Sequence, residues 1–156
     1  MPVPTFILEI RKKIGNDLLW LPGVTAVVID DANRVLLVQR ADNHQWTLVT
    51  GCLEPGEQPA RGAVREVEEE TGVTAVAERL LAVETVPRAT LPNGDQVQFV
   101  DTAFRCRYVA GEAAVGDDES VDVGWFPLDA LPVMPERQAR CIGYALDADP
   151  LAKFRT

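Results

Sequence analysis

The stretch GCLEPGEQPARGAVREVEEETGV, residues 51–73, joins a Gly- and Pro-punctuated loop (51–56) to a segment, 58–71, that reads as a helix stopped by Gly72. On a helix turning about 100° per residue, with Glu66 set at zero, Glu69 falls at about −60° and Glu70 at about +40°, so three carboxylates share one face. Glu68, at about 200°, points away. Ala60, Ala63, Val64 and Val67 cover an arc from about 60° to 160°, beside the carboxylates, which sets the acids at the edge of the packed face. Like charges one turn apart repel by about a few tenths of a kcal/mol per pair, and partial burial deepens the cost. Hard divalent cations with oxygen ligands offset it, and magnesium is commonly shared between one or two carboxylates and a substrate's phosphates. Arg65 stands four residues before Glu69, and Glu57 lies just ahead of the helix, where it can pair with Arg65 and orient it.

A run such as Glu68, Glu69, Glu70 is by itself usually a solvated helix face. The whole pattern is harder to dismiss: G-x5-E-x7-R-E-U-x-E-E-x-G-U, where U is a bulky aliphatic, is filled at every position, with Val67 and Val73 as the two U residues. With seven fixed residues at roughly 7% usage each, chance agreement is on the order of one in a hundred million per starting point. This pattern resembles the Nudix box, and the chain is similar to the Nudix hydrolase superfamily. Softer resemblance runs from about residue 24 to 131, through LLVQR at 36–40, Trp46, and WFPLDALP from Trp125.

The resemblance implies a mixed β-sheet sandwiched between α-helices, and an enzyme that cleaves the diphosphate link of a nucleoside diphosphate joined to another group. It implies Mg2+ or Mn2+ held by Glu66, Glu69 and Glu70 and the carbonyl of Gly51, with Glu69 the first choice for the base, Arg65 and Glu57 in support, and a homodimer. In several members a further acid outside the box binds metal or acts as base. Glu119 stands where such a residue is expected, and Asp117, Asp118 and Asp101 compete with it. Arg40 is the candidate for a substrate phosphate, with the capping of an acidic neighbour as its plain alternative. Many relatives read L-P-G-G before the box acids, whereas this chain has Leu48, Val49, Thr50, Gly51, so the turn entering the box differs. A proline about fifteen residues past the box marks ADP-ribose hydrolases; Pro87 is fourteen past Val73. The tyrosine that marks dinucleoside polyphosphate hydrolases is missing. The substrates expected are a nucleoside triphosphate or modified nucleotide first and ADP-ribose next. A binding module that senses a nucleotide sugar without cleaving it, and a calcium-binding or structural acidic domain, are the rivals.

Outward from the box, periodicity predicts an amphipathic helix over 6–14, a hairpin of 24–29 with 35–39, strands within 73–86, 97–108 and 121–126, a turn at 92–95 and a closing helix over 135–146. Strands, a central helix, more strands and a final helix make an α/β architecture in the broad sense, or α+β. With 156 residues and 47% hydrophobic content, one domain over residues 1–156 is expected. A net charge of −9 gives no broad surface for polymeric nucleic acid, so the expected partner is a small nucleoside diphosphate derivative reached through a cation. Cys52, Cys106 and Cys141 show no C-x-x-C spacing, and no segment has the apolar length to span a bilayer, so a soluble cytoplasmic protein with free thiols is expected. His44, the one histidine, reads as a loop residue. Trp46, Trp125 and Phe126 read as packing aromatics, and acidic neighbours argue against a nucleophilic Cys52.

Overall fold

The computed structural model describes residues 4–91 and 93–156. The elements in chain order are α1 (Thr5–Ile14), β1 (Leu19–Ile29), β2 (Arg34–Arg40), β3 (Trp46–Thr47), β4 (Val49–Cys52), α2 (Pro59–Thr71), β5 (Thr74–Thr85), β6 (Ala89–Thr90), β7 (Gln96–Ala110), β8 (Ser120–Pro127) and α3 (Glu136–Leu146). They form a mixed sheet in the order β3-β2-β1-β7-β5, with β4 beside β1, β6 beside β7 and β8 beside β2. The β1–β7 pair is parallel, running from Leu19↔Val97 to Ile29↔Arg107, and the other pairs are antiparallel.

The near-continuous aliphatic runs of β1 and β2 follow from burial on both faces. Val24, Ala26, Val28, Leu36 and Val38 pack with Ala63 and Val67 of α2. The alternate residues Val27, Ile29, Val35 and Leu37 pack with Cys141, Ile142 and Ala145 of α3. A third, smaller cluster holds α1 through Ile7 against Leu21 and Val97, with Phe6 and Phe99 at its margin. The aromatics serve packing: Trp46 meets Phe126 edge-on at 4.7 Å, and Tyr108 meets Trp125 at 5.4 Å.

Several details differ from the sequence reading. β1 begins at Leu19, five residues before the expected 24, because long-range pairing with β7 carries Pro22 and Gly23 into the sheet despite their reputation as strand breakers. The expected loop 51–56 starts two residues late, since Gly51 and Cys52 belong to β4 and pair with Val24 and Gly23. The two-residue strand β6 was not foreseen. Of the expected turn at 92–95, Pro92 lies outside the described residues. Pro59 sits in the first turn of α2, where its missing N–H costs nothing, and Gly72 ends the helix at φ 68°, the left-handed conformation. Among the described residues no helix is long and apolar enough to cross a membrane.

Candidate active site

Two buried residues of α2 bring carboxylates to the edge of its core face. Glu66 is 1% exposed and Glu70 is 5% exposed, whereas Glu69, on the outer side of the same arc, is exposed. Burial pushes the Glu66 carboxyl up to about 7 from its ordinary 4.5, with Glu69 and Glu119 adding to the rise and Arg65 opposing it. Burial and the charges of Glu66, Asp117 and Glu119 push Glu70 up to about 8.

Arg65 is the hub. Its Nε and Nη2 donate to the two oxygens of Glu57 at 2.8 and 2.9 Å, a bidentate fork. Nη1 donates to Glu66 Oε1 at 3.0 Å and Glu69 Oε2 at 3.1 Å, and Nη2 reaches the carbonyl of Cys52 at 3.2 Å. The fork with Arg65 holds the Glu57 carboxyl below its ordinary range. The pairing of Arg65 with Glu57 expected from their spacing is thus present, and the same guanidinium orders two of the three box carboxylates.

Gly51 approaches Glu66 so closely that a Cβ at position 51 would lie 1.9 Å from the Glu66 carboxyl carbon. No larger residue fits there. Glu119 and Arg40 come together through a β-bulge: the register of β2 against β8 shifts between Gln39 and Arg40, and Ala41 N–H donates to the Glu119 carbonyl at 2.8 Å. Arg40 forks onto Asp42 at 2.9 and 2.7 Å while lining the same cleft as Gly51, Glu66 and Glu119, so its capping role and its place at the site coexist. Asp117 accepts from the Glu119 backbone N–H at 3.0 Å and adds its charge beside Glu70. Burial pushes the Cys52 thiol up to about 11, aided by Glu66, which excludes it as a ready nucleophile. The three cysteines are free.

The cleft has a volume of about 460 Å³. One part is walled by the box and by Arg40 and Glu119; another is apolar, lined by Ile7, Leu21, Val97 and Phe99. Asp101, Arg137 and Gln138 also line it, and the last two carry no sequence motif. Asp101 is buried, accepts from Thr25 Oγ1 at 2.8 Å and is paired with the Arg137 guanidinium. Arg137 and Arg140 both face Glu84 at 3.4 and 3.3 Å, so α3 is tied to the sheet by a buried ionic network. Gln138 Oε1 accepts from Leu48 N–H at 2.5 Å, satisfying the backbone where β3 gives way to β4. The only advance signal was two arginines three residues apart on the helix over 135–146.

Among the described residues no group of three or more His, Cys, Asp or Glu side chains is arranged to hold a metal ion as it stands, in keeping with Arg65 lying between Glu66 and Glu69. The residues nonetheless fit a divalent cation. Glu66 Oε2 is buried without a hydrogen bond, and no ion pair with a described residue balances Glu70. A pH-dependent change in stability follows. Both carboxyls titrate above the 4.5 of the unfolded chain, so the folded chain keeps protons that the unfolded chain has released. Stability in chelator is therefore highest near pH 5 and falls as pH rises through about 7 to 8. Melting curves from pH 5 to 9 check this, with Glu70→Gln flattening the upper part of the fall; a level wild-type profile would contradict it.

A family model described as NUDIX domain matches residues 19–144. The chain is 30% identical over 132 residues to mouse "8-oxo-dGDP phosphatase NUDT18", covering 83% of this chain and 37% of that one. It is 33% identical over 127 residues to the "ADP-ribose pyrophosphatase" of Methanocaldococcus jannaschii, covering 78% of this chain and 72% of the relative. Among solved structures it is similar to an ADP-ribose pyrophosphatase from Streptococcus suis, with a TM-score of 0.65, 25% identity, and coverage of 86% of this chain and 98% of that one. The chain thus spans about a third of the mouse relative and nearly all of the bacterial structure.

Proposed function

The chain belongs to the Nudix family, and on that premise we propose that it is a divalent-cation-dependent pyrophosphohydrolase, a single domain that cleaves the diphosphate link of a small nucleoside diphosphate derivative. A nucleoside triphosphate or modified nucleotide is the first substrate class and ADP-ribose the next. The observation that carries the proposal is the pair of buried carboxylates, Glu66 and Glu70, on a helix whose Arg65 is pinned by Glu57 beside a cleft with an apolar part. Carboxylates buried in this way are costly as anions, and a divalent cation offsets that cost.

Glu66, Glu69 and Glu70, with the carbonyl of Gly51, would hold Mg2+ or Mn2+. When bound, the ion supplies charge neutralisation at the diphosphate, lowering the barrier to attack. Glu57 holds Arg65, and Arg65 holds Glu66 and Glu69 in fixed rotamers, so the acids are ordered before substrate arrives. Glu69, the exposed member, takes a proton from the attacking water. Water adds to one phosphorus, the bridging P–O bond breaks, and two phosphate-bearing products leave. Arg40, one strand away, steadies the phosphate chain, and Glu119 adds a further carboxylate to the same wall.

The test is product release from nucleoside triphosphates, oxidised guanine nucleotides, ADP-ribose, nucleotide sugars and dinucleoside polyphosphates, with Mg2+ or Mn2+ and in chelator. Cleavage is expected only with the cation, and Glu69→Gln lowers kcat roughly a hundredfold. Binding of a panel compound with no turnover under any cation would replace the hydrolase by a sensor.

A further inference from the structure

Helix α1 precedes residue 19, where the family match begins, yet together with the residue that caps its start it contributes Pro4, Ile7 and Arg11 to the wall of the cleft. These positions fall on one face of the helix, and Ile7 packs directly on Leu21 and Val97. Arg11 fixes where this helix lies. Its Nη1 donates to the carbonyls of Gly15 at 3.0 Å and Asp17 at 2.6 Å, its Nη2 donates to the carbonyl of Gln96 at 2.9 Å, and its Nε faces Asp95 Oδ2 at 3.3 Å. All three guanidinium nitrogens are thus turned toward the chain itself. Arg11 ends the helix, closes the link to β1 and ties both to the start of β7 in one set of contacts, and its side chain is only 10% exposed.

We propose that α1 is a specificity wall, positioned by Arg11, that confines the group attached to the diphosphate to a flat base-and-sugar unit and excludes bases carrying bulky substituents. The inference rests on the pyrophosphohydrolase reading and deepens it by assigning the apolar part of the cleft, as distinct from the box, to the non-phosphate group. The box and Arg40 supply charge suited to phosphates. Ile7, Leu21, Val97 and Phe99 supply an aliphatic and aromatic surface suited to a ring system. Arg11 touches no reacting atom in this arrangement and is a positioning residue.

The experiment compares wild type with Arg11→Ala, Ile7→Ala and Ile7→Phe. Binding of AMP, GMP, CMP and UMP is measured by calorimetry in chelator, and kcat and KM are measured for the best triphosphate and for its benzyl-substituted base analogue. Arg11→Ala is expected to raise the Kd of the preferred monophosphate and the KM roughly tenfold, with a much smaller change in kcat. The analogue's kcat/KM relative to the parent rises in Arg11→Ala and Ile7→Ala, and falls in Ile7→Phe. A folded Arg11→Ala with unchanged Kd and unchanged analogue ratio, or a loss confined to kcat, overturns the wall. If Arg11→Ala does not fold, the opposed Ile7 variants decide alone: equal analogue ratios in both overturn it. Monophosphate binding that depends on α1 in a protein that cleaves nothing supports the wall and sinks the hydrolase reading. Cleavage with no α1 dependence does the reverse.

Discussion

Glu66→Gln is expected to lower kcat/KM by about a thousandfold, roughly 4 kcal/mol of barrier, and to raise the melting temperature in chelator at pH 8. Both signs come from the same burial. The side chain is 1% exposed, its Oε2 has no hydrogen bond, and its carboxyl is pushed up to about 7, so at pH 8 the folded chain carries a charge that its surroundings disfavour. Glutamine keeps the shape and keeps an oxygen to accept from Arg65, and it removes the charge. Stability gains by losing an anion that burial disfavours, while the cation proposed for this site would lose a hard ligand. Steady-state rates with Mg2+ beside melting curves in chelator read both effects. A variant within tenfold of wild-type activity would show that Glu66 holds nothing essential.

The second large effect is expected from Gly51→Ala. A Cβ at position 51 would stand 1.9 Å from Glu66 Cδ and 2.1 Å from its Oε1. Neither side can retreat easily, because Gly51 pairs with Val24 inside the sheet and Glu66 is held by Arg65 on a packed helix. Overpacking of this severity costs about 1–3 kcal/mol, which corresponds to a melting temperature lower by about 5–10 °C. Activity falls by roughly a hundredfold or more, since displacing a reacting group by about 1 Å is enough. Pairing the substitution with Glu66→Ala removes the clashing Cγ and carboxyl, so stability recovers in part while activity does not. An active, fully stable Gly51→Ala would mean that the glycine is there for some other reason.

The helix that carries the acids was legible because periodicity, spacing and a terminal glycine agree over 58–72, and the strands 24–29 and 35–39 were legible because apolar runs bounded by turn residues leave few alternatives. What was hidden depends on contacts across the sequence. Pro22 and Gly23 look like a stop until their partners Val100 and Asp101, 78 residues later, hold them in register. Leu48 separates two short strands, and its N–H is satisfied by Gln138, 90 residues away. Asp101 entered only as a rival to Glu119, and its partnership with Arg137 and Thr25 could not be read from any local spacing. The three carboxylates placed on one arc divide in the folded chain into two buried acids and one exposed, because helix geometry alone does not say where the neighbouring strands stop.

The parallel pairing of β1 with β7 sets the order in which this molecule can be completed during synthesis. Leu19 meets Val97 and Ile29 meets Arg107, so the middle of the sheet closes a loop of nearly the whole intervening chain. Closures of that span raise contact order and slow folding. When α2 has left the ribosome, β1, β2 and β4 can already offer it a partial surface, yet the strand beside β1 has still to be made. Until residue 110 emerges, the strand that completes the middle of the sheet is missing, and the surroundings that bury Glu66 and Glu70 are incomplete. The partly dehydrated arrangement of Glu66 and Glu70 needs the closed sheet, so the raised pKa values of this pair belong to the completed protein and are withheld from the growing chain.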